Sequence, residues 1–157
     1  MHIQFYHLLT TPLETALPKL ADIAFNKQMN CIIMLDDASI DMIDKALWTF
    51  SQRSFVPHLM RKECDDEQAK RQPILLHNQF IKDNNPELCM VTNHHYFKDL
   101  PEVSRIFDIF NGNDSGATEQ ARMRWSQYKA RDLHLTYVKQ QENNSWKTEM
   151  EINAPTT

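Results

Sequence analysis

The sequence predicts an α/β fold in three layers, with a mostly parallel central sheet and helices on its faces. Three observations carry that expectation. Strand-like and helix-like segments alternate from the first residues, the pattern of crossover-linked parallel strands. Residues 31–35 (CIIML) are apolar throughout, as a strand covered on both faces must be. A composition of 41% hydrophobic and 24% charged residues over 157 positions suits one ordinary globular domain with its own core.

Each element has a local reason. Residues 2–9 (HIQFYHLL) are aromatic and apolar and read as a first strand ended before Pro12. Leu13, Leu17, Leu20, Ala21, Ala24 and Phe25 recur at helical spacing, so residues 12–28 read as an amphipathic helix. The 31–35 strand closes on Asp36-Asp37, and Ser39 is placed to cap a helix with Ile40, Ile43, Ala46, Leu47 and Phe50 on one stripe. Residues 58–72 are almost wholly polar and read as an exposed loop or a mobile crossing. Residues 74–77, 88–92 and 103–110 are further strands, with a turn at Asn84-Asn85-Pro86. Asn113 or Ser115 opens a helix to about Arg131, and residues 133–138 (LHLTYV) alternate like a last edge strand. Nothing periodic follows Trp146. The expected organisation is one domain over 1–147 and a flexible tail over 148–157.

Glycine is scarce. There are two, Gly112 and Gly116, where average usage predicts roughly eleven. No phosphate-cradling loop of either common kind can be written with them. Residues 31–37 do look like the acid-ended strand of a nucleotide-dependent enzyme, with Asp36 and Asp37 as magnesium ligands. Without a phosphate loop before it, the blander reading is a buried strand ending in a solvated acidic turn; a nucleotide- or metal-dependent enzyme stays as the alternative. Seven histidines show no metal-ligand spacing, and His94-His95 are merely adjacent. No metal and no cofactor is expected. Cys31 and Cys89 sit in apolar runs and read as reduced, buried thiols. The start of the chain shows no basic-then-apolar leader and no apolar run approaches 18 residues, so the expectation is a soluble, cytoplasmic protein with no membrane contact.

The formal net charge is -4, but residues 117–147 carry a local +3 against -7 for the rest. A small basic patch on an acidic chain suits a carboxylate or acidic peptide better than a long duplex. Within it, taking Thr118 as zero, Trp125, Lys129 and Arg122 fall at about -20°, 20° and 40° around a helix. Ala117, Ala121 and Tyr128 fall near -80°, the better core-facing side. Two readings of Trp125 stay open: it tucks into a groove beside the last strand, or it walls a pocket for a short acidic peptide beside a guanidinium fork. Trp48 and Phe55, with Val56-Pro57 after them, likewise read either as core or as an exposed anchor for another protein.

Phe5-Tyr6, Ala46-Leu47-Trp48, Ser54-Phe55-Val56-Pro57-His58, Arg122-x-Arg124-Trp125-x-x-Tyr128, Leu133-x-Leu135 and Trp146-Lys147, in this order, resemble the chi subunit of bacterial DNA polymerase III holoenzyme. The resemblance spans about residues 3–147. It implies a mononucleotide-binding-like α/β fold without a nucleotide site and without catalytic activity, in a subunit that meets DNA only indirectly. It also implies two contacts. One takes the acidic C-terminal tail of single-stranded-DNA-binding protein, which ends in phenylalanine, with Arg122 at the terminal carboxylate and Trp125 walling the phenylalanine pocket. The other joins the psi subunit, and through it the clamp loader, at Trp48, Phe55 and Pro57; a helicase is the alternative occupant of that surface. Thr118 stands where the family often has a tail-contacting lysine, for which Lys129 is the substitute. Asp132 stands where glycine is common, and residues 148–157 have no family counterpart.

Overall fold

A computed structural model of the chain describes residues 1–92 and 96–155. It is an α/β fold. The elements are β1 (His2–Leu8), α1 (Leu13–Asn26), β2 (Cys31–Met34), α2 (Asp37–Thr49), β3 (Leu59–Met60), α3 (Asp66–Arg71), β4 (Ile74–His77), β5 (Leu88–Val91), β6 (Arg105–Asn111), α4 (Ser115–Lys129), β7 (His134–Gln140) and β8 (Trp146–Ile152). Among the described residues the strands form one mostly parallel sheet of eight, in the order β3-β4-β2-β5-β6-β1-β7-β8, flanked by four helices. β1 runs parallel to both β6 and β7, and β4 to both β2 and β3, whereas β8 returns antiparallel to β7. No helix among the described residues is long and apolar enough to cross a membrane.

The chain divides into two compact units, Glu14–Met90, and Met1–Leu13 together with Val91–Thr157. In the first, every residue of β2 is buried, which is why residues 31–35 carry no alternation. Ile40, Ile43 and Leu47 form the buried stripe of α2. Cys31 and Cys89 are buried and free; burial pushes the Cys31 thiol well up and the Cys89 thiol up to about 12. In the second unit, Ile3, Phe5, Ile106, Ile109, Leu135 and Val138 form the core against α4 residues Ala117, Ala121 and Tyr128.

Several boundaries differ from expectation, each for a local reason. The cap of α2 is Asp36, not Ser39: the Ser39 N–H donates to the Asp36 carboxylate at 2.8 Å. Asp114, not Asn113 or Ser115, caps α4 by accepting from the N–H groups of Gly116 and Ala117. The polar stretch 58–72 holds β3, a 3-10 turn at Arg61–Glu63 and α3, which starts with a capping box between Asp65 and Gln68. These elements bury only Met60 and Ala69 among their residues, too little apolar surface to show a period. The stretch expected to be a flexible tail is strand as far as Ile152, so β7 is not the edge. Its residues are almost all exposed, and what orders them is pairing to β7 through the turn where the Gln141 N–H donates to the Ser145 carbonyl. His94-His95 lie outside the described residues.

Neither glycine has a positive φ. Gln28, Asn85, Asp132 and Asn144 take the left-handed positions instead, Asp132 at φ 55° just after α4. Gly112 is needed for another reason: a Cβ there would lie 1.9 Å from the His7 ring and 2.6 Å from the Leu8 carbonyl oxygen.

Candidate functional site

The site is built on α4. Its buried arc holds Ala117, Ala121, Arg124, Trp125 and Tyr128, at i, i+4, i+7, i+8 and i+11, and so puts Arg122 on the solvent side. Arg124 is spent inside: Nε and Nη2 donate to the two Asp108 carboxylate oxygens at 2.7 and 2.8 Å, with both side chains only 4% exposed. Trp125 stands at the rim of the arc. Its indole meets Phe5 and Tyr137 edge-on, at centroid separations of 5.4 and 5.8 Å. Trp125 is thus no exposed platform but a mostly buried wall beside β7, the first of the two readings, with its remaining face turned to a cavity.

That cavity measures about 440 Å³. Arg122, Trp125 and Ser126 line it from α4, His7 from β1, Tyr137 and Lys139 from β7, and Glu149 and Met150 from β8. The Tyr137 hydroxyl and His7 Nδ1 share a hydrogen bond. Burial, then the nearby Lys139 and Arg122 charges, holds His7 below its ordinary value. Burial pushes Tyr137 up to about 12, with Arg122 opposing and Glu149 adding. At neutral pH His7 and Tyr137 are therefore uncharged, and the charges of the wall are Arg122, Lys139 and Glu149. The Arg122 side chain is 72% exposed and, among the described residues, makes a loose 3.8 Å contact with Glu119, which leaves donors open to a ligand. Two cations beside two aromatic faces suit a carboxylate attached to a flat apolar group.

A second cluster lies in the Glu14–Met90 unit. Trp48 follows the buried Leu47 and so faces out, 52% exposed; Phe55 is 60% exposed, with its ring 5.5 Å from that of Trp48. Beneath them His58 is buried, hydrogen-bonded from Nδ1 to the Val56 carbonyl at 2.7 Å and 3.1 Å from the Asp44 carboxylate through Nε2. Trp48 rests 4.7 Å from the His58 ring. This anchoring fixes Phe55-Val56-Pro57 and leaves the two aromatic rings at the surface, not in the core.

The family model described as "DNA polymerase III chi subunit, HolC" matches residues 1–136, most of the chain. The chain belongs to the DNA polymerase III chi subunit family. It is also 23% identical over 106 residues to a protein of Rickettsia prowazekii (strain Madrid E) described as a probable DNA polymerase III subunit chi. That alignment takes in 67% of this chain and 62% of the relative's length. The match to the chi family ends inside β7, so the cavity residues Tyr137, Lys139, Glu149 and Met150 lie beyond it.

Of the four positions expected to hold a tail, Arg122 and Trp125 come together at the cavity. Thr118 and Lys129 do not line it. The Thr118 hydroxyl donates back to the Asp114 carbonyl at 3.0 Å, and Lys129 is exposed in the last turn of α4. The sequence reading missed His7, Ser126, Tyr137, Lys139, Glu149 and Met150. Tyr137 and Lys139 were findable, since residues two apart on a strand share a face. In the chi-family chain a side chain closes the loop that follows β1. The N–H groups of Leu9, Thr10 and Thr11 all donate to Gln140 Oε1, at 3.0, 2.9 and 3.2 Å, and Gln140 Nε2 donates to the Thr11 hydroxyl. Asp36 is committed to its cap, and the Asp37 carboxylate accepts from Asn78 at 3.1 Å. Among the described residues no three acidic, histidine or cysteine side chains are grouped to hold a metal.

Proposed function

We propose that the protein is a non-catalytic accessory subunit of the DNA polymerase III clamp-loader assembly that ties it to single-stranded-DNA-binding protein. The acidic C-terminal tail of that protein docks in the α4 cavity. The observation that carries this reading is the convergence of Arg122 and Lys139 with Trp125 and Tyr137 on one 440 Å³ space. The terminal carboxylate takes charge-assisted hydrogen bonds from Arg122, and the last aromatic ring lies against Trp125. The contact is small and open to water, so the affinity is micromolar and falls with salt. Several tails on one partner raise the avidity. The psi subunit docks separately on Pro57 and the exposed aromatic pair Trp48 and Phe55, of the kind that anchors interfaces.

Fluorescence anisotropy of a labelled acidic peptide ending in Asp-Ile-Pro-Phe tests the tail site, with its C-terminal amide as control. Micromolar, salt-sensitive binding that disappears on amidation supports the proposal. Absence of binding by folded protein removes its principal function and leaves the Trp48 surface as the lead.

A further inference from the structure

We infer that Glu149, carried by the β7–β8 hairpin, makes the α4 cavity selective for a ligand that brings in one carboxylate only. The inference rests on the tail-binding reading of that cavity and deepens it. Its basis is an irregularity in the hairpin. Tyr137 stands opposite Met150 and Val138 opposite Thr148, so one step along β7 spans two along β8 and Glu149 is the extra residue. In a regular strand consecutive side chains point to opposite faces, and Glu149 and Met150 could not share a surface. A bulge re-aims a side chain in this way, and here both residues line the cavity.

The consequence is electrostatic. Arg122 and Lys139 favour an entering carboxylate, while Glu149 offsets one of those two charges. A single carboxylate still meets a net positive wall. A second one, on the residue before the last, meets Glu149 with the cations already engaged. Acidic residues further up the peptide stay in solvent, where repulsion is screened within about 8–10 Å. Met150, 49% exposed, supplies the adaptable apolar surface beside Glu149 that an uncharged penultimate side chain can cover. The preferred ligand ends in an apolar residue and then an aromatic residue with a free carboxylate.

The test is anisotropy on the full chain with two labelled peptides that differ only at the penultimate residue, Pro-Phe against Asp-Phe. Glu149→Gln is compared with wild type and with Glu142→Gln, an exposed turn residue outside the cavity that makes the same change in net charge. Wild type should prefer Pro-Phe, and Glu149→Gln should tighten Asp-Phe about two- to fivefold more than Pro-Phe, the range for a partly exposed charge pair. Glu142→Gln should leave the preference unchanged. If wild type binds but Glu149→Gln keeps the same preference, or Glu142→Gln shifts it equally, the inference falls and the tail site stands. If neither peptide binds any folded variant, the inference falls together with the tail site.

Discussion

Arg122 and Arg124 are two residues apart and should fail in opposite ways. Consider Arg124→Met. The wild-type pair is bidentate, 2.7 and 2.8 Å, with both partners 4% exposed. Methionine fills most of the space of the guanidinium stem but takes the bidentate Arg124 contact away from the buried Asp108 carboxylate. Removing one partner of such a pair costs about 3–5 kcal/mol, far above a surface ion pair. For a chain of this size that corresponds to a fall in Tm of about 6–20 °C. Calorimetry or thermal circular dichroism reads it directly. Neutralising the buried acid in Arg124→Met/Asp108→Asn should regain more than half of the loss. The wild-type pair is itself imperfect, because Arg124 Nη1 is buried with no hydrogen bond among the described residues. A Tm loss under about 3 °C for Arg124→Met, or a double variant no better than the single, would refute the reasoning.

Arg122→Ala should lose tail-peptide binding by tenfold or more with Tm unchanged within about 2 °C, since its guanidinium is exposed; unchanged affinity in the anisotropy assay would move the carboxylate elsewhere. Gly112→Ala should destabilise by about 3 kcal/mol, the upper end of overpacking costs, because neither the buried His7 ring nor the Leu8 carbonyl can retreat; near-wild-type melting would contradict this. His2 is held down to about 4, chiefly by burial and then by the facing charges of His134 and Arg105. A lowered histidine makes the unfolded chain bind the proton first, so its penalty is absent above about pH 6.5, grows as pH falls toward 4 and is constant below. His2 is partly solvated, and after about half is discounted for screening the loss by pH 5 is about 1 kcal/mol, or 2–4 °C in Tm. His2→Gln should flatten this part of the Tm-against-pH curve, and an unaltered curve would assign the acid sensitivity elsewhere.

What the sequence made legible follows from how each element earns its stability. β2 and α2 declare themselves because their burial is written as an apolar run or a 3.6-residue stripe. α3 and β8 do not, since the first is held by a capping box and the second by ladder hydrogen bonds to β7, and neither needs apolar residues. Helical spacing on α4 separates Arg122 from the core side, where the structure also keeps it out, but sets Trp125 apart from that side too. At about -20° the indole is at the edge of the buried arc, and its length carries it inward onto Phe5 and Tyr137. The cavity was half legible for the same reason. Its α4 side shows in helical spacing, whereas Glu149 and Met150 reach it together only because of strand pairing and a bulge that no local pattern announces.

The two clusters also differ in which part of the chain sustains them, and that bears on the proposed adaptor role. Every residue of the cavity belongs to the unit made of 1–13 and 91–157, while Trp48, Phe55, Pro57 and the His58 anchor belong to 14–90. Each surface is therefore secured by packing within its own unit: Tyr137, Phe5 and Trp125 for one, Val56, His58 and Asp44 for the other. A link between two partners gains from this, because filling one surface need not disturb the other. The expected behaviour is two binding free energies that add. Trp48→Ala should release psi and leave tail affinity within about twofold, as expected for independent sites. Arg122→Ala should do the converse. Coupling beyond about threefold, measured as tail affinity with and without psi, would mean that the two surfaces are not independent and that the adaptor transmits as well as tethers.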